Sequence, residues 1–380
     1  MTRGFDRSEY VDRVARAQGR MADAGLAALL LTTEPEVRYF TGFLTRFWES
    51  PTRPWFVVVP ASGPPIAVIP SIGQALMART WITDIRTWRA PDLADDGIGL
   101  LADTLNEVAA TGAIGLPDGH ETHLRLPWSD MQRLIGLTRG AITGDSGILR
   151  ALRMVKSDAE IGKIGTICAI AARAFDRVPD IAQQGVPLDT IFRRFQMLGL
   201  QEGADWVPYL AGAADAGGYS DVISPASGAP LQAGDVLMLD TGMVWDGYFC
   251  DFDRNFSIGP PAPEVRSAHA TLIDATEAAA EIARPGATAA DVFHAMDRIV
   301  TGGAGGSDAG RLGHGLGMQL TEWPSLMAGD HTVLEPGMVL TLEPGIAVPG
   351  GTLVHEENIV ITTGASRFLT PLANREIPVI

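Results

Sequence analysis

The sequence predicts an α/β N-terminal domain over residues 1–151 and an α+β C-terminal domain over residues 152–380 that is built from two similar halves. At 380 residues the chain is longer than one ordinary hydrophobic core organises. Strand-like and helix-like segments alternate in the first part, which is typical of an α/β domain. In the second part, "IAQQGVPLDTIF" (181–192) matches "IARPGATAADVF" (282–293) at an offset of 101 residues, which indicates an internal duplication.

The N-terminal elements follow from hydrophobic spacing and turn residues. Residues 8–24 have the apolar spacing of a helix and end at Gly25, a residue that favours helix C-termini. The apolar stretch "LAALLLTT" predicts a buried strand. "WFVVVP" and "IAVIP" are separated by "ASGPP", which predicts a β-hairpin. A further helix is predicted over residues 97–110.

The boundary and the duplication depend on helix starts. Ser157 and Glu160 form an S-x-x-E capping box that predicts a long helix, so we place the domain boundary just before it, between residues 151 and 152. Thr288 and Asp291 have the same type of spacing at the start of a helix in the second copy. Chance similarity between Ala-rich helices is the alternative to a duplication. A true duplication predicts a site between the two halves.

Composition bounds the class of protein. The formal net charge is −16, which disfavours nucleic acid and anionic membranes as partners. No apolar run approaches the roughly 18 residues of a membrane span, and the N-terminus lacks the apolar core of a signal peptide. The two cysteines, Cys168 and Cys250, form no disulfide framework. We therefore expect a cytoplasmic protein.

Acidic residues stand inside apolar strands of the second domain. In "GDVLMLDTGMVWDGYFCDFDRNFSIG", Asp240 ends a buried strand, an Asp-Gly turn follows, and a second strand over "GYFCDFDRNFSI" carries Asp251 and Asp253 on one face. Acids in such positions are costly unless a cation or hydrogen bonds compensate them. Carboxylates satisfied by the backbone or by Arg254 are the alternative to a metal site.

Three later segments add side chains of the same chemistry. His314 lies among glycines, where the backbone can approach a ligand closely. Glu343 ends the apolar strand of "GMVLTLEPG", and Glu356 begins the strand of "HEENIVIT". Four carboxylates and one imidazole suit two divalent ions, with Mn²⁺ favoured and Fe²⁺, Co²⁺ or Zn²⁺ as alternatives. Two such ions can hold a bridging water and lower its pKa.

These motifs, in this order, resemble those of a known family. "LDTGMVWDGYFCDF", "GHGLG", "TLEPG" and "HEENIVIT" are similar to the ligand motifs of the pita-bread (M24) metallopeptidases. "LRMVKSDAEI" and an N-terminal domain of about 150 residues resemble the branch of Xaa-Pro aminopeptidase, prolidase and creatinase. The resemblance covers the whole chain. It implies a pita-bread C-terminal domain with pseudo-two-fold duplication.

The resemblance also implies a ligand set and a mechanism. Asp240 would chelate one ion, Asp251 and Glu356 would bridge both, and His314 and Glu343 would complete the other. A metal-bridging hydroxide would attack an acyl carbon, and Glu343 would accept and pass on the proton. The implied activity is hydrolysis of a C–N amide bond in a small peptide of the Xaa-Pro type.

The chain departs from the family at two histidines. The peptidases have G-H-G-x-G-x-x-x-H-E-x-P, whereas Thr321 stands here at the second histidine, with Glu322 and Pro324 retained. A further histidine of the family, about 11 residues before the Gly-Asp of the first ligand strand, is replaced by "DVISPA". A threonine hydroxyl cannot move a proton at neutral pH. We include Thr321 and Glu322 with Glu343 as predicted catalytic residues.

These departures leave two other activities open. A dimethylsulfoniopropionate lyase branch lacks these histidines and carries Glu-Trp-Pro in this loop, although it places an Asp base before the Glu. A creatinase-like amidohydrolase acting on a small molecule is the second alternative.

Several aromatic residues and one loop are predicted to contact substrate. We predict pocket positions for Trp206, Tyr209, Tyr219 and Trp323, although aromatic residues often serve only in the core. Arg46 lies in a loop of the N-terminal domain. In this branch such loops reach the active site of a partner subunit, so we expect a homodimer. Cys250 adjoins a predicted ligand but is expected to point to the opposite face of its strand.

Overall fold

The computed structural model describes residues 2–50, 53–307 and 309–380. It divides into two compact units, Thr2–Arg153 and Met154–Ile380. No helix of the described residues is both long enough and apolar enough to cross a membrane.

The N-terminal unit contains a six-stranded mixed sheet with helices. Its strands are β1 (Leu26–Leu31), β2 (Phe56–Pro60), β3 (Ile66–Pro70), β4 (Asp84–Trp88), β5 (Ala113–Leu116) and β6 (Ile142–Gly144), in the spatial order β4-β3-β2-β1-β5-β6. Its helices are α1 (Arg7–Ala24), α2 (Glu34–Thr41), α3 (Gln74–Met77), α4 (Ile98–Ala109), α5 (Trp128–Leu137) and α6 (Ile148–Met154), the last of which ends at the boundary between the units.

The local predictions for this unit are confirmed. Helix α1 ends at Gly25, whose φ of 68° lies in the left-handed region that glycine tolerates. Strands β2 and β3 form an antiparallel hairpin, as the two apolar runs indicated. Strand β1 pairs with β2 on one side and runs parallel to β5 on the other, and α4 packs its apolar face on this sheet.

The C-terminal unit contains four long helices. They are α7 (Asp158–Asp176), α8 (Leu188–Glu202), α9 (Pro263–Ile282) and α10 (Ala289–Val300). Both predicted capping boxes are present, with the hydroxyl of Ser157 accepting from the N–H of Glu160 and that of Thr288 accepting from the N–H of Asp291. Each such cap stabilises a helix by about 1 kcal/mol.

Three sheets accompany these helices. One has the order β10-β8-β7, with β9 also on β8; a second has the order β12-β11-β13-β16-β17; β14 and β15 form a hairpin. The strands are β7 (Trp206–Ala216), β8 (Asp235–Trp245), β9 (Tyr248–Phe249), β10 (Phe252–Ser257), β11 (His314–Gly315), β12 (Glu322–Ser325), β13 (Val339–Leu342), β14 (Gly345–Val348), β15 (Gly351–Val354), β16 (Glu357–Val360) and β17 (Arg367–Phe368).

The two halves of this unit repeat the same backbone contacts. Gly185, with φ of 89°, donates its N–H to the carbonyl of Leu231 at 2.8 Å. Gly286, with φ of 92°, donates to the carbonyl of Leu334 at 3.1 Å. Helices α8 and α10 then begin at positions 101 residues apart. In each half a central strand, β8 or β13, lies between two antiparallel neighbours. Equal contacts at equal positions support the internal duplication.

Candidate metal centre

A cavity of about 720 Å³ in the C-terminal unit contains all five predicted ligand side chains. Its walls also include apolar residues from both halves of that unit. The ligand side chains that line it are Asp240, Asp251, His314, Glu343 and Glu356.

The first half contributes Asp240 and Asp251. Asp240 lies in the middle of β8, and its Oδ2 accepts a hydrogen bond of 3.0 Å from the hydroxyl of Tyr209 on β7. Strands β8 and β9 are joined by the predicted two-residue Asp-Gly turn, with φ of 48° at Asp246 and 79° at Gly247.

Two strand predictions were wrong in this region. Asp240 does not end its strand, because β8 continues to Trp245. The stretch predicted as one strand is divided into β9 and β10, and Cys250 and Asp251 lie between them. The reason is a side chain that takes over the backbone contacts at Asp251. Asn358 Oδ1 accepts from the N–H of Asp251 at 3.0 Å, and its amide group donates to the carbonyl of Asp251. Cys250 is buried, and its Sγ lies by the carbonyl of Met243.

The second half contributes His314 from β11. The glycines beside it allow neighbouring strands to come close, because a Cβ at Gly313 would lie 2.4 Å from the Thr341 carbonyl oxygen and one at Gly315 would lie 1.9 Å from that of Trp323. Nδ1 of His314 lies 2.8 Å from the carbonyl oxygen of Gly315 and must donate to it. Nε2 is then the ring nitrogen directed at the carboxylates, and it becomes available as a ligand when it carries no proton.

Glu343 and Glu356 stand at the two ends of the β14–β15 hairpin. Glu343 directly follows β13, and Glu356 directly precedes β16. Glu343 Oε1 lies 3.0 Å from Nε2 of His314 and accepts from the hydroxyl of Thr341. Nε2 of His314 also lies 3.5 Å from Oδ2 of Asp251.

The electrostatics of the carboxylates are strongly perturbed. Burial, followed by the charge of Asp253, raises the pKa of Asp240 to about 7. Burial and neighbouring carboxylates also raise the pKa values of Asp251 and Glu356 well above the ordinary range. Burial would raise the pKa of Glu343 too, but His314 lowers it to about 2. Such a concentration of buried acids calls for a cation.

The cluster meets a test of fit for divalent metal ions. Asp251, His314 and Glu356 each offer a ligand atom, and these atoms lie within 4.8 Å of one another. Among the described residues, Asp240 Oδ1 and Glu356 Oε1 are buried without a hydrogen-bond partner. Arg254, the alternative partner considered for these acids, instead pairs with Glu357 at 3.1 Å. Orphaned carboxylate oxygens beside an imidazole suit metals such as Mn²⁺, Fe²⁺, Co²⁺ and Zn²⁺.

Thr321 and Glu322, the two predicted catalytic residues of the loop after His314, have different surroundings. Thr321 lines the cavity. Glu322 is buried and outside the lining, with Oε2 3.2 Å from Nζ of Lys156 and Oε1 accepting from the N–H groups of Met318 and Gln319. The carboxylate of Glu322 therefore holds the loop that presents Thr321.

Of the predicted substrate contacts, Tyr209 lines the cavity and three aromatic residues do not. Tyr219 is fully buried, where its hydroxyl donates to Asn255 and accepts from the N–H of Val354. Trp206 and Trp323 are likewise outside the lining. Arg46 belongs to the N-terminal unit, where it pairs with Glu49 at 3.1 Å.

The structure adds residues that sequence reasoning did not assign to the site. Asp253, Arg311 and His355 line the cavity. The alternation in β10 had already placed Asp253 on the face of Asp251, and His355 directly precedes Glu356. These two positional signals could have identified both residues. Ile223, at the position of the missing upstream histidine, also lines the cavity and is 79% exposed.

The comparisons with known proteins agree across both units. The profile of metallopeptidase family M24 matches residues 162–363, and that of the creatinase/prolidase N-terminal domain matches residues 13–155. The probable dipeptidase PepE of Mycobacterium tuberculosis is 32% identical over 372 residues, which cover 95% of this chain and 94% of the relative. The Xaa-Pro dipeptidase of Pyrococcus horikoshii is 31% identical over 228 residues, 59% of this chain and 64% of that protein. The crystal structure of dipeptidase PepE from Mycobacterium ulcerans matches with a TM-score of 0.85, 28% identity and 99% coverage of each chain.

Proposed function

Because the chain belongs to metallopeptidase family M24, we propose that it is a dinuclear-metal hydrolase that cleaves the C–N amide bond of a small peptide of the Xaa-Pro type. The main support for this proposal is that four carboxylates and one imidazole line one cavity. Among the described residues, some of these carboxylate oxygens are buried without a hydrogen-bond partner. The named relatives are a probable dipeptidase and an Xaa-Pro dipeptidase, which supports a short peptide as substrate.

The ligand residues that we propose are Asp240, Asp251, His314, Glu343 and Glu356, and Mn²⁺ is the favoured metal. When bound, two divalent ions would polarise the scissile carbonyl and lower the pKa of an attacking water. The carboxylate of Glu343 would accept the proton of that water. Tyr209 orients Asp240 through their hydrogen bond.

The side chains that line the cavity indicate which kind of substrate it can hold. Ile223, Leu320, Ile346 and Val354 give it apolar surface, which suits an apolar side chain or a proline ring. Thr321 can donate a hydrogen bond to a substrate carbonyl, but its hydroxyl cannot deliver a proton at neutral pH. Proton delivery to the leaving amine therefore falls to Glu343.

A second candidate function rests on the two positions at which this chain lacks the histidines of the family. Thr321 and Ile223 stand where the peptidases have histidines, which favours a substrate that needs neither imidazole. A small-molecule amidohydrolase and a dimethylsulfoniopropionate-lyase-like enzyme both fit that requirement. Release of an alkene from dimethylsulfoniopropionate, without hydrolysis of any dipeptide, would establish the lyase in place of the peptidase.

The test is hydrolysis of Xaa-Pro dipeptides by metal-free protein before and after addition of Mn²⁺, with bound metal measured on the same sample. We expect two ions per chain and release of free proline only in the loaded sample. Small cyclic amides and dimethylsulfoniopropionate are assayed in parallel. Protein that binds no divalent metal, or loaded protein that cleaves no amide, contradicts the proposal.

Thr321→His separates the peptide and non-peptide substrates. An imidazole at this position can donate to the substrate at neutral pH, so dipeptide hydrolysis should stay equal or rise about tenfold. Ile223→His is the matched change at the other position. Complete loss of the native activity in Thr321→His would show that Thr321 shapes a pocket for a different substrate.

A further inference from the structure

Asp253 is a fifth carboxylate of the cavity, and its partner across the sheet is Asp240. In the antiparallel pairing of β8 with β10, Asp253 lies directly opposite Asp240. Directly opposed residues point to the same face and have Cβ atoms about 4.5–5.5 Å apart. Asp253 is 1% exposed and lines the cavity. Two ionised carboxylates so close and so buried destabilise a sheet unless a proton or a cation offsets their charge.

The two carboxylate oxygens of Asp253 differ in their surroundings. Oδ1 accepts from the N–H of Glu356 at 3.1 Å and lies 3.4 Å from Nδ1 of His355. Oδ2 is buried and has no hydrogen-bond partner among the described residues. The same holds for Oδ1 of Asp240 and for Oε1 of Glu356. One oxygen of each of these three side chains is therefore left for a ligand.

His355 is placed to fix the orientation of Asp253. It is fully buried, and its Nε2 lies 3.3 Å from Oε1 of Glu357. Glu357 is itself held by Arg254 at 3.1 Å and by the N–H of Ala373 at 2.8 Å. The imidazole thus stands between two carboxylates, one of which is anchored away from the cavity. This chain of contacts keeps Oδ1 of Asp253 turned towards His355 and leaves Oδ2 on the other side.

The duplication gives an independent argument. Asp240 and Glu343 are 103 residues apart, Asp240 within the central strand β8 and Glu343 directly after the central strand β13. The β13–β16 register ends at the pair Leu342 and Glu357, and one further step brings Glu343 opposite Glu356. Asp253 and Glu356 are also 103 residues apart. Asp253 therefore occupies in the first half the position that Glu356 occupies in the second.

We propose that Asp253 supplies its Oδ2 as an additional ligand to the divalent cation that Asp240 holds, with His355 as the positioning residue. The inference rests on the proposed metal site. It assigns to this chain six carboxylate and imidazole ligands in place of the five that the family motifs indicate. An added carboxylate raises the affinity of an oxygen-rich site for a hard divalent ion.

The test is calorimetric titration of the full-length metal-free protein with Mn²⁺. Asp253→Asn keeps an acceptor for the N–H of Glu356 but removes the charge, and it should weaken the tighter binding step at least about tenfold. The matched control is Asp215→Asn, which removes one exposed carboxylate on β7 and should change affinity less than about twofold. Thermal unfolding without metal checks that both variants fold. Equal Mn²⁺ affinity of wild type and Asp253→Asn would overturn the proposal.

A spectroscopic readout separates ligation from a distant charge effect. With Co²⁺ in place of Mn²⁺, Asp253→Asn should shift the visible absorption bands, whereas Asp215→Asn should not. An unchanged cobalt spectrum would overturn direct ligation even if affinity falls. His355→Gln should weaken Mn²⁺ binding by several-fold with Asp253 intact, and wild-type affinity in this variant would overturn the positioning role. Failure of the wild-type protein to bind any ion would instead contradict the proposed function itself.

Discussion

The two halves of the C-terminal unit share a backbone plan and differ in the electrostatics of their proposed metal ligands. Asp240 on β8 and Glu343 after β13 occupy corresponding positions, yet the pKa of Asp240 is raised to about 7 and that of Glu343 is lowered to about 2. The difference follows from His314, which lies 3.0 Å from Glu343. Strand β7, which borders β8 as β11 borders β13, has no histidine. One imidazole thus gives two equivalent carboxylates opposite protonation preferences.

The largest expected effect comes from removing one ligand in either half. Asp251→Ala in the first half and His314→Ala in the second should each abolish bound metal and reduce turnover by more than about a thousandfold, because the cations require ligands from both halves. Metal analysis and dipeptide hydrolysis measure the outcome, with Asp215→Asn as the control. Full metal content in either variant would show that one half binds metal without the other.

The next effect concerns two buried lysines, Lys156 just before α7 and Lys163 within it, that each pair with a buried carboxylate. Lys156 pairs with Glu322 beside the second-half loop, and Lys163 pairs with Asp246 in the turn of the first half. Removing the cation takes the opposite charge away from a buried carboxylate, so Lys156→Met and Lys163→Met should each lower the free energy of unfolding by about 3–5 kcal/mol. Urea denaturation followed by circular dichroism measures the loss.

The double variant Lys156→Met/Glu322→Gln provides the control for that prediction. It removes both charges and should recover most of the stability, because the penalty comes from a buried negative charge without its compensating cation. A loss below about 1 kcal/mol in the single variants would show that these pairs do not fasten the loops.

A smaller effect follows from the contrast between Asp240 and Glu343. Below pH 7 a proton on Asp240 competes with the metal, whereas Glu343 stays ionised down to a pH of about 2. The raised pKa values of Asp251 and Glu356 add to this competition, so the Mn²⁺ affinity should rise with pH and be at least about tenfold weaker at pH 6 than at pH 8. Titration in buffers of different ionisation enthalpy should detect proton release at pH 6. Equal affinities and no proton release at the two pH values would contradict the assignment.

The smallest expected effect is the loss of stability when the residue just before α10 or α8 is replaced. Thr288 caps α10 through the box with Asp291, but Pro187, the corresponding residue before α8, makes no side-chain cap. Thr288→Ala should cost about 1 kcal/mol of stability. Pro187→Ala should cost less than half of that. The two thermal unfolding midpoints measure the difference, and equal losses would remove this distinction between the halves.

The sequence predicted much of this architecture because its signals are local. The fold class and the metal-dependent hydrolase class are confirmed by the family membership and by the match to the solved dipeptidase. The capping boxes at Ser157 and Thr288 are confirmed because a cap depends on residues three positions apart. The ligand assignments stay predictions, although their side chains meet in one cavity.

The remaining features depend on pairings between distant segments. Glu322 follows Thr321 in the chain, but its ion pair is with Lys156, 166 residues away. The break between β9 and β10 comes from Asn358, 107 residues from Asp251. Hydrophobic periodicity cannot reveal such partners. It also could not show that Tyr219 faces the core and that Tyr209 faces the cavity, because both are aromatic residues before the same strand.

Substitutions in the β14–β15 hairpin can change the wall of the cavity without changing the proposed metal ligands. Glu343 and Glu356 flank it, while Ile346, Ala347 and Val354 within it line the cavity. Its own ladder, from the pair Gly345 and Val354 to the pair Val348 and Gly351, is separate from the sheet that contains His314. A library randomised at Ile346 and Ala347 can therefore search for new substrate preferences while every ligand residue is retained.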